Sequence, residues 1–365
     1  MQRRKFLTNV GSATLASSAL VAAPVVAQTN PKFNWKMTSS YNSGLPALFN
    51  ASQAVCDRVQ EATDGNFNIR LYPAGQLVPS GAVMDAVSNR TVECGHTASY
   101  FYYGLDPAFC FDTIVPFGLN VRQMLAWMNH GDGTKLLREL FAPRHILNFP
   151  LGNTGAQMGG WYRKEINTVA DLKGLRMRAP GFGGEVLSRL GVIPQQVPVT
   201  DLYPALEKGV LDAVELVGPL DDERQGFHKV APYYYYPGWW EGSAQVSLYV
   251  NDSAYNELPK RYQTLIDMAC TQANIGALAH YDAESAAALR RLIAEGAILK
   301  VFSREIMDAA FKATEDIYRE LCEKNAGFKK IHDNYMAFRN DTTAWLRLNE
   351  GAYDNYMGLA LSQRR

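Results

Sequence analysis

The 365-residue chain carries 36 lysines and arginines against 36 aspartates and glutamates. No basic excess marks a nucleic-acid partner or an anionic membrane surface. Cys56, Cys94, Cys110, Cys270 and Cys322 are odd in number, widely spread and without a CxxC pair. Buried free thiols are expected rather than a disulfide framework, which a chain this long does not need.

The N-terminus reads Met1-Gln2-Arg3-Arg4-Lys5-Phe6-Leu7-Thr8, followed by a weakly apolar stretch from Val10 to Val26 rich in Ala and Ser. Ending at Val25-Val26-Ala27, it predicts an export signal over residues 1–27 with the mature chain starting near Gln28. Adjacent arginines with Phe and Leu close behind resemble a twin-arginine signal, which implies periplasmic export of a folded protein. About 17 mixed residues are too few and too polar to serve as a membrane anchor. Losing Arg3, Arg4 and Lys5 leaves 33 basic against 36 acidic residues. The remaining length suggests two domains of ~150 residues each.

The mature chain opens as β-α-β. Trp35 to Thr38 is a predicted strand, and Leu48, Val55, Val59 and Ala62 recur at helical spacing. Gly65 stops that helix, and Phe67, Ile69 and Leu71 alternate with polar residues as a second strand. A helix over Ser80–Ser88 and a strand over Val92–Thr97 follow. The pattern restarts after Pro150: Thr168-Val169-Ala170-Asp171 is close to a capping box, Leu175–Arg178 reads as a strand, Asp201–Lys208 as a helix, and Val210–Val217 as an apolar strand. Strands alternating with helices argue for two α/β lobes in series. From Pro259 to Ile298 no internal proline interrupts an Ala- and Leu-rich run; an unbroken helix there spans roughly 60 Å and must cross both lobes or leave the monomer. Leu299–Phe302 is one more strand. Residues 303–324 and 341–358 are amphipathic helices, the second with Trp345, Leu348, Tyr353 and Tyr356 on its apolar stripe.

Several motifs invite chemistry. Gly181-Phe182-Gly183-Gly184 fails as a dinucleotide fingerprint, because the third glycine position is Val186; it reads as a turn opening onto a helix at Glu185–Leu190. The six histidines have no metal-ligand spacing, and no GxSxG nucleophile elbow exists. Asp221-Asp222-Glu223 could bind a cation, but the preference of acids for a helix N-terminus explains it as well. Three residues resist such readings. Arg178 ends a strand, where it can face a cleft and grip a carboxylate through two parallel bonds. Glu215 sits in the apolar run Ala213-Val214-Glu215-Leu216-Val217, and a buried carboxylate needs a cation or several donors. Glu241 follows the rigid aromatic segment Pro237-Gly238-Trp239-Trp240. Gln157 adds an amide oxygen near the lobe boundary.

These segments, with Gly95-His96-Thr97-Ala98, Val115-Pro116-Phe117-Gly118-Leu119-Asn120, Asp171-Leu172-Lys173-Gly174 and the run Val230 to Gly242, span most of the mature chain. Together they resemble the extracytoplasmic solute receptors of tripartite ATP-independent periplasmic (TRAP) transporters, closest to the branch that binds 2-oxoacids such as pyruvate. The resemblance implies a two-lobe periplasmic binding protein fold with an interlobe ligand cleft. Residues 32–153 plus about 243–280 would form one lobe and 154–242 plus about 281–335 the other, with 336–365 a C-terminal helical extension. It further implies that Arg178 pairs with the substrate carboxylate. Gln157, Glu215, Glu241 and the backbone carbonyl of Leu216 would hold a metal ion beside the substrate. Branch members often carry tryptophan at position 216, so Leu216 departs from the pattern, although a backbone oxygen is indifferent to its side chain. Oxygen ligands select a hard cation, Na+ foremost and Ca2+ as the alternative. Tyr100 and Tyr103 lie in an aromatic segment expected to face the ligand. Implied partners are a small carboxylate, the membrane permease subunits, and a second copy of the chain exchanging its C-terminal helix. Two other functions compete: an exported enzyme using Glu215 or Glu241 as general base on a 2-oxo or 2-hydroxy acid, and a sensory binding protein. No nucleophile, cofactor motif or histidine accompanies the glutamates in support of the enzyme.

Overall fold

A computed structural model describes residues 31–363; the predicted export signal over residues 1–27 lies outside the described residues. Alternation of apolar residues builds the first two strands. Trp35 and Met37 are buried on β1 (Phe33–Ser39), and α1 (Pro46–Ala62) covers them with Val55 and Val59, while Leu48 of the same helix is buried in a separate cluster with Tyr41 and Leu45. Ala62, predicted on the same stripe, is exposed at the helix end. Phe67 and Ile69 then bury one face of β2 (Phe67–Tyr72). The first pass continues through α2 (Val83–Ser88), β3 (Cys94–Thr97), α3 (Val121–His130), α4 (Gly133–Phe141) and β4 (Ile146–Asn153). A second set follows: β5 (Trp161–Tyr162), β6 (Arg176–Arg178), α5 (Gly181–Arg189), β7 (Ile193–Gln195), α6 (Leu202–Glu207), β8 (Ala213–Val214), α7 (Pro219–Gln225) and β9 (Tyr233–Tyr236). The chain then runs through β10 (Gln245–Asn251), α8 (Asp252–Glu257), α9 (Lys260–Ala294), β11 (Ile298–Val301), α10 (Arg304–Lys324), α11 (Ala326–Leu348) and α12 (Glu350–Ser362).

Two sheets result. The first has the order β2-β1-β3-β10-β4, with β1 parallel to β2 and β3, and β10 antiparallel to β3 and β4. The second has the order β11-β9-β5-β8-β6-β7, in which β6 runs parallel to both β7 and β8. Helix α9 serves both. Its first half buries Ile266, Ala269 and Ala273 against α1 and β4, and its second half packs on α7, where Tyr281 donates to Asp221 Oδ2 at 2.8 Å. At 35 residues it is about 52 Å long, and it crosses both layers, as its length demands. It stops short of Ile298 because Gly296 adopts φ +103°, while Ala297 N bonds back to Leu292 O and Gly296 N to Ile293 O; this is a Schellman ending.

Other predictions need correction. The apolar run Val210–Val217 pairs as a strand only at Ala213–Val214, since β5 and β6 flank just those residues and the chain then bends toward Pro219 at the start of α7. The helix expected at Glu185–Leu190 already begins at Gly181. Its glycines permit a close approach: a Cβ on Gly184 would stand 2.4 Å from the Ala179 carbonyl oxygen. The helix expected at 341–358 is two helices. Helix α11 begins at Ala326, capped by Asn325, whose side chain accepts from Phe328 N; it ends at Leu348, and Asn349 starts α12. The expected stripe stands in solvent, with Trp345 60% and Leu348 77% exposed. All five cysteines are free and four are buried. Among the described residues, no helix is long and apolar enough to cross a membrane.

Candidate functional site

The C-terminal ends of β6 and β8 place two of the expected residues side by side. Arg178 pairs in register with Val214, and Glu215 N continues the ladder by donating to Arg178 O at 3.2 Å. Arg178 Nη1 then donates to the Glu215 backbone oxygen at 2.6 Å and to Glu215 Oε2 at 2.9 Å. Both side chains are buried, Arg178 with 6% and Glu215 with 1% of its surface exposed.

Gln157 and Glu241 come from the two segments that link the sheets. Gln157 Nε2 donates to Thr154 Oγ1 at 3.0 Å, and that hydroxyl also accepts from Ala244 N at 3.1 Å, which ties the segments together. Gly238 N donates to Gln157 O at 3.0 Å. A Cβ on Gly238 would stand 2.8 Å from the carbonyl oxygens of Gln157 and Met158, so only glycine permits this approach. Phe117 stacks on Trp239 at 5.3 Å, and Trp239 packs edge-on against Trp240, fixing the turn that presents Glu241.

The electrostatics of this group are unbalanced. Burial lifts the Glu241 carboxyl well above its usual range, and the Glu215 charge raises it further; Arg178 and the neighbouring Gln157 amide oppose the shift. Burial also pushes Glu215 up to about 7, against the pull of Arg178. Gln157 Oε1 and Glu241 Oε1 are buried and receive no hydrogen bond. Orphaned acceptors of this kind cost free energy unless something positive meets them. One amide oxygen and two carboxylates form a donor set for a hard cation, so the residues present fit such an ion. Leu216 contributes only backbone polarity, its side chain lying in an apolar cluster with Leu45, Leu48 and Val217.

Of the two tyrosines, Tyr100 joins the group. Its hydroxyl interacts with Arg178, and burial pushes it up to about 12 despite that cation. Tyr103 is held elsewhere: its ring stacks on Phe182 at 5.6 Å and its hydroxyl donates to Glu185 Oε2 at 2.5 Å. The acidic triplet is tied into the fold through one oxygen of each aspartate, while Asp221 Oδ1 and Asp222 Oδ1 stay buried without a partner. Asp222 accepts from Trp161 Nε1 and Tyr234 Oη, Asp221 accepts from Tyr281, and Glu223 pairs with Arg291. His96 is likewise structural, buried between Ser52 Oγ and the Leu151 carbonyl.

Above Arg178 opens a cavity of about 500 Å³. Its walls come from the loops after β1 and β2 (Tyr41, Leu45, Pro79), from Phe101, and from the loop after β7 (Val197, Val199, Thr200). It therefore lies between the two sheets, outside the carboxyl ends of parallel strands, where open α/β sheets bind ligands. The sequence reading missed these wall residues, and Tyr41 in particular, whose buried hydroxyl has no partner. The available signal was position: Ser40-Tyr41-Asn42 directly follows a strand of a parallel pair.

Comparison with known proteins identifies the family. Residues 39–325 match the model of the DctP family, bacterial extracellular solute-binding protein, family 7. A monocarboxylate 2-oxoacid-binding periplasmic protein of Nostoc sp. is 47% identical over 364 residues, covering 98% of this chain and 99% of that protein. A TRAP transporter solute binding protein from Bordetella bronchiseptica, a mixed-occupancy dimer with copurified calcium and picolinate in one active site and an apo site in the other, superposes with TM-score 0.90 at 50% identity, covering 92% of this chain and 100% of that one. A TRAP periplasmic solute binding protein from Pseudoalteromonas atlantica, with bound sodium and pyruvate, gives TM-score 0.85 at 37% identity over 89% and 99% of the two chains. The chain belongs to the DctP family of bacterial extracellular solute-binding proteins.

Proposed function

We propose that this protein is the periplasmic receptor of a TRAP-type transporter and captures a small 2-oxoacid, pyruvate or a longer homologue, together with one bound cation. The observation that carries the reading is the buried cage: two glutamates and an orphaned amide oxygen beside a single arginine. Gln157, Glu215, Glu241 and the Leu216 carbonyl would hold Na+ or Ca2+, which balances the cage and chelates a 2-oxoacid through its carboxylate and adjacent oxygen. Arg178 keeps further N–H groups for the substrate carboxylate, each charge-assisted bond worth about 1.5–3 kcal/mol. Tyr100 lies beside the guanidinium to help orient it. The relatives with sodium and pyruvate, or calcium and picolinate, support both halves of the reading.

The sheets support a division of the chain near residues 153 and 243, since β4 ends at Asn153 and β10 begins at Gln245. Closure of the two parts over the cavity would exclude water from the site. Export by the twin-arginine route rests on Arg3-Arg4 and the following stretch. Delivery to permease subunits follows from the family, and a homodimer through the C-terminal helices would cover the exposed Trp345, Leu348, Tyr353 and Tyr356.

Calorimetric titration of ligand-stripped protein with pyruvate, longer 2-oxoacids and lactate, in sodium, in calcium and in neither, tests the proposal. One-to-one binding that requires one of the cations is expected. No binding of any of these acids refutes the substrate class, and binding indifferent to both cations refutes the cage.

A further inference from the structure

A cysteine, a histidine and an aspartate, side chains of the kind that ligate metals, come together far from the cleft in sequence, at the corner between α10 and α11. Asn325 is the single residue between those helices, and it is fixed twice: it caps α11 through Phe328 N at 2.9 Å and donates to Asp106 Oδ1 at 2.8 Å. Cys322, in the last turn of α10, therefore faces His332 and Asp333 on α11. One ligand atom from each of the three lies within 4.8 Å of the others. His332 has little freedom to turn away, because its ring is wedged between Tyr318 at 4.9 Å and Phe328 at 6.0 Å. Asp333 uses Oδ2 for Lys329 and turns Oδ1 to His332 Nδ1 at 3.3 Å.

That spacing is informative. Two zinc bonds of ~2.0–2.1 Å meeting at a tetrahedral angle hold their donor atoms about 3.3–3.4 Å apart. A thiolate at ~2.3 Å from the same ion stands about 3.6 Å from each partner, so the sulfur closes by at most ~1.2 Å, within reach of a change at χ1. Cys322 and His332 are partly exposed and Asp333 is exposed, so an ion can enter from solvent.

We propose that Cys322, His332 and Asp333 form a binding site for a zinc-class divalent cation, with water as the fourth ligand. Thiolate and imidazole donors select Zn2+ over the hard ions suited to the cleft, so the two sites discriminate by chemistry. Binding releases the Cys322 thiol proton to solvent as the metal–sulfur bond forms, and the proton that bridges His332 Nδ1 to Asp333 Oδ1 moves to Nε2 or to solvent so that the Nδ1 lone pair meets the ion. The ion would join helices with different attachments. Helix α10 is held to α5 by the Arg189–Glu320 pair, and α11 is held to α3 and α4 through Trp127–Asn334 and Lys330–Glu139.

The test is titration of the full-length mature protein with Co2+, in saturating Na+ and Ca2+ so that the cleft is filled. One equivalent of Co2+ should produce tetrahedral visible bands and a thiolate-to-cobalt charge-transfer band, both abolished by Zn2+. C322S should lose the charge-transfer band, and H332Q should weaken zinc binding at least ~tenfold. E241Q, altered only in the cleft, should keep both signals. Far-ultraviolet circular dichroism and thermal melts of the metal-free variants verify folding. Absence of the charge-transfer band in the wild type, or its survival in folded C322S, overturns the proposal.

Discussion

Replacing Arg178 by alanine acts on two things at once, and the structure says how much of each. Arg178 Nη1 holds both the backbone oxygen and Oε2 of Glu215, with the pair almost wholly buried. Removing one partner of a buried ion pair costs about 3–5 kcal/mol, because the other charge is left uncompensated. Arg178→Ala should therefore lose about that much stability in cation-free buffer at a pH well above the Glu215 value of about 7, measured by urea unfolding. The loss belongs to the orphaned Glu215, so adding Glu215→Gln should restore about 2–3 kcal/mol, a coupling that a double-mutant cycle isolates. The binding effect is separate. If the guanidinium gives the substrate two charge-assisted bonds, their removal costs about 3–6 kcal/mol, or roughly 10²- to 10⁴-fold in Kd. Calorimetry at a denaturant-free temperature well below the melting point reads that loss on folded protein. Native stability in Arg178→Ala, or no recovery in the double variant, refutes the pairing argument. Affinity retained in folded Arg178→Ala refutes the carboxylate-binding role.

Glu241→Gln removes a buried carboxyl that the fold holds well above its usual range, so in cation-free buffer at neutral pH the variant should be more stable by at least about 1–2 kcal/mol while cation-dependent binding weakens; unchanged cation dependence would take Glu241 out of the cage. Asp112, buried with its Oδ2 unpartnered, is pushed up to about 7. A carboxyl raised in the folded state keeps its proton there while the unfolded chain loses it above about 4, so its stabilisation is lost as pH rises from about 4 to 7. Relative to Asp112→Asn, the wild type should lose roughly 4 kcal/mol across that window, and a flat difference between their unfolding curves refutes the shift. Gly238→Ala forces a methyl against two carbonyl oxygens and should cost about 1–3 kcal/mol. It should also lower ligand affinity by displacing Glu241; wild-type stability and affinity would show that the turn has slack. If the proposed dimer forms through the C-terminal helices, light scattering should show a dimer for the wild type and a monomer once Tyr353 and Tyr356, 64% and 68% exposed on a single chain, are replaced by glutamate; a wild-type monomer refutes the dimer, and a dimer that persists in the variant places its interface elsewhere.

How far the sequence could be read depended on whether a residue's conflict was local. Glu215 was legible because a carboxylate inside Ala-Val-Glu-Leu-Val contradicts its neighbours, and Arg178 because an arginine ends a strand. Both conflicts are resolved by one contact between adjacent strand ends. Gln157 and Glu241 lie in irregular segments without periodicity; the aromatic segment before Glu241 marked it and the lobe boundary marked Gln157, but their approach depends on Gly238 fitting against two carbonyls, and only the resemblance to a family implied that they share one ion. Tyr41, Val197 and Val199 carry no such conflict. They become neighbours of Arg178 only when the loops after β1 and β7 meet, which is a consequence of topology. The C-terminal helices show the same limit. Residues 326–340 hide a helix because lysines, asparagines and an arginine interrupt their apolar positions, and Asn349 divides what the aromatic stripe alone would join. The corner between α10 and α11 follows the same logic. His332 lies ten positions after Cys322, a spacing typical of no metal motif, yet a one-residue break between two helices folds them face to face. Local conflict thus reveals where a fold needs a partner, and topology decides which residues supply it.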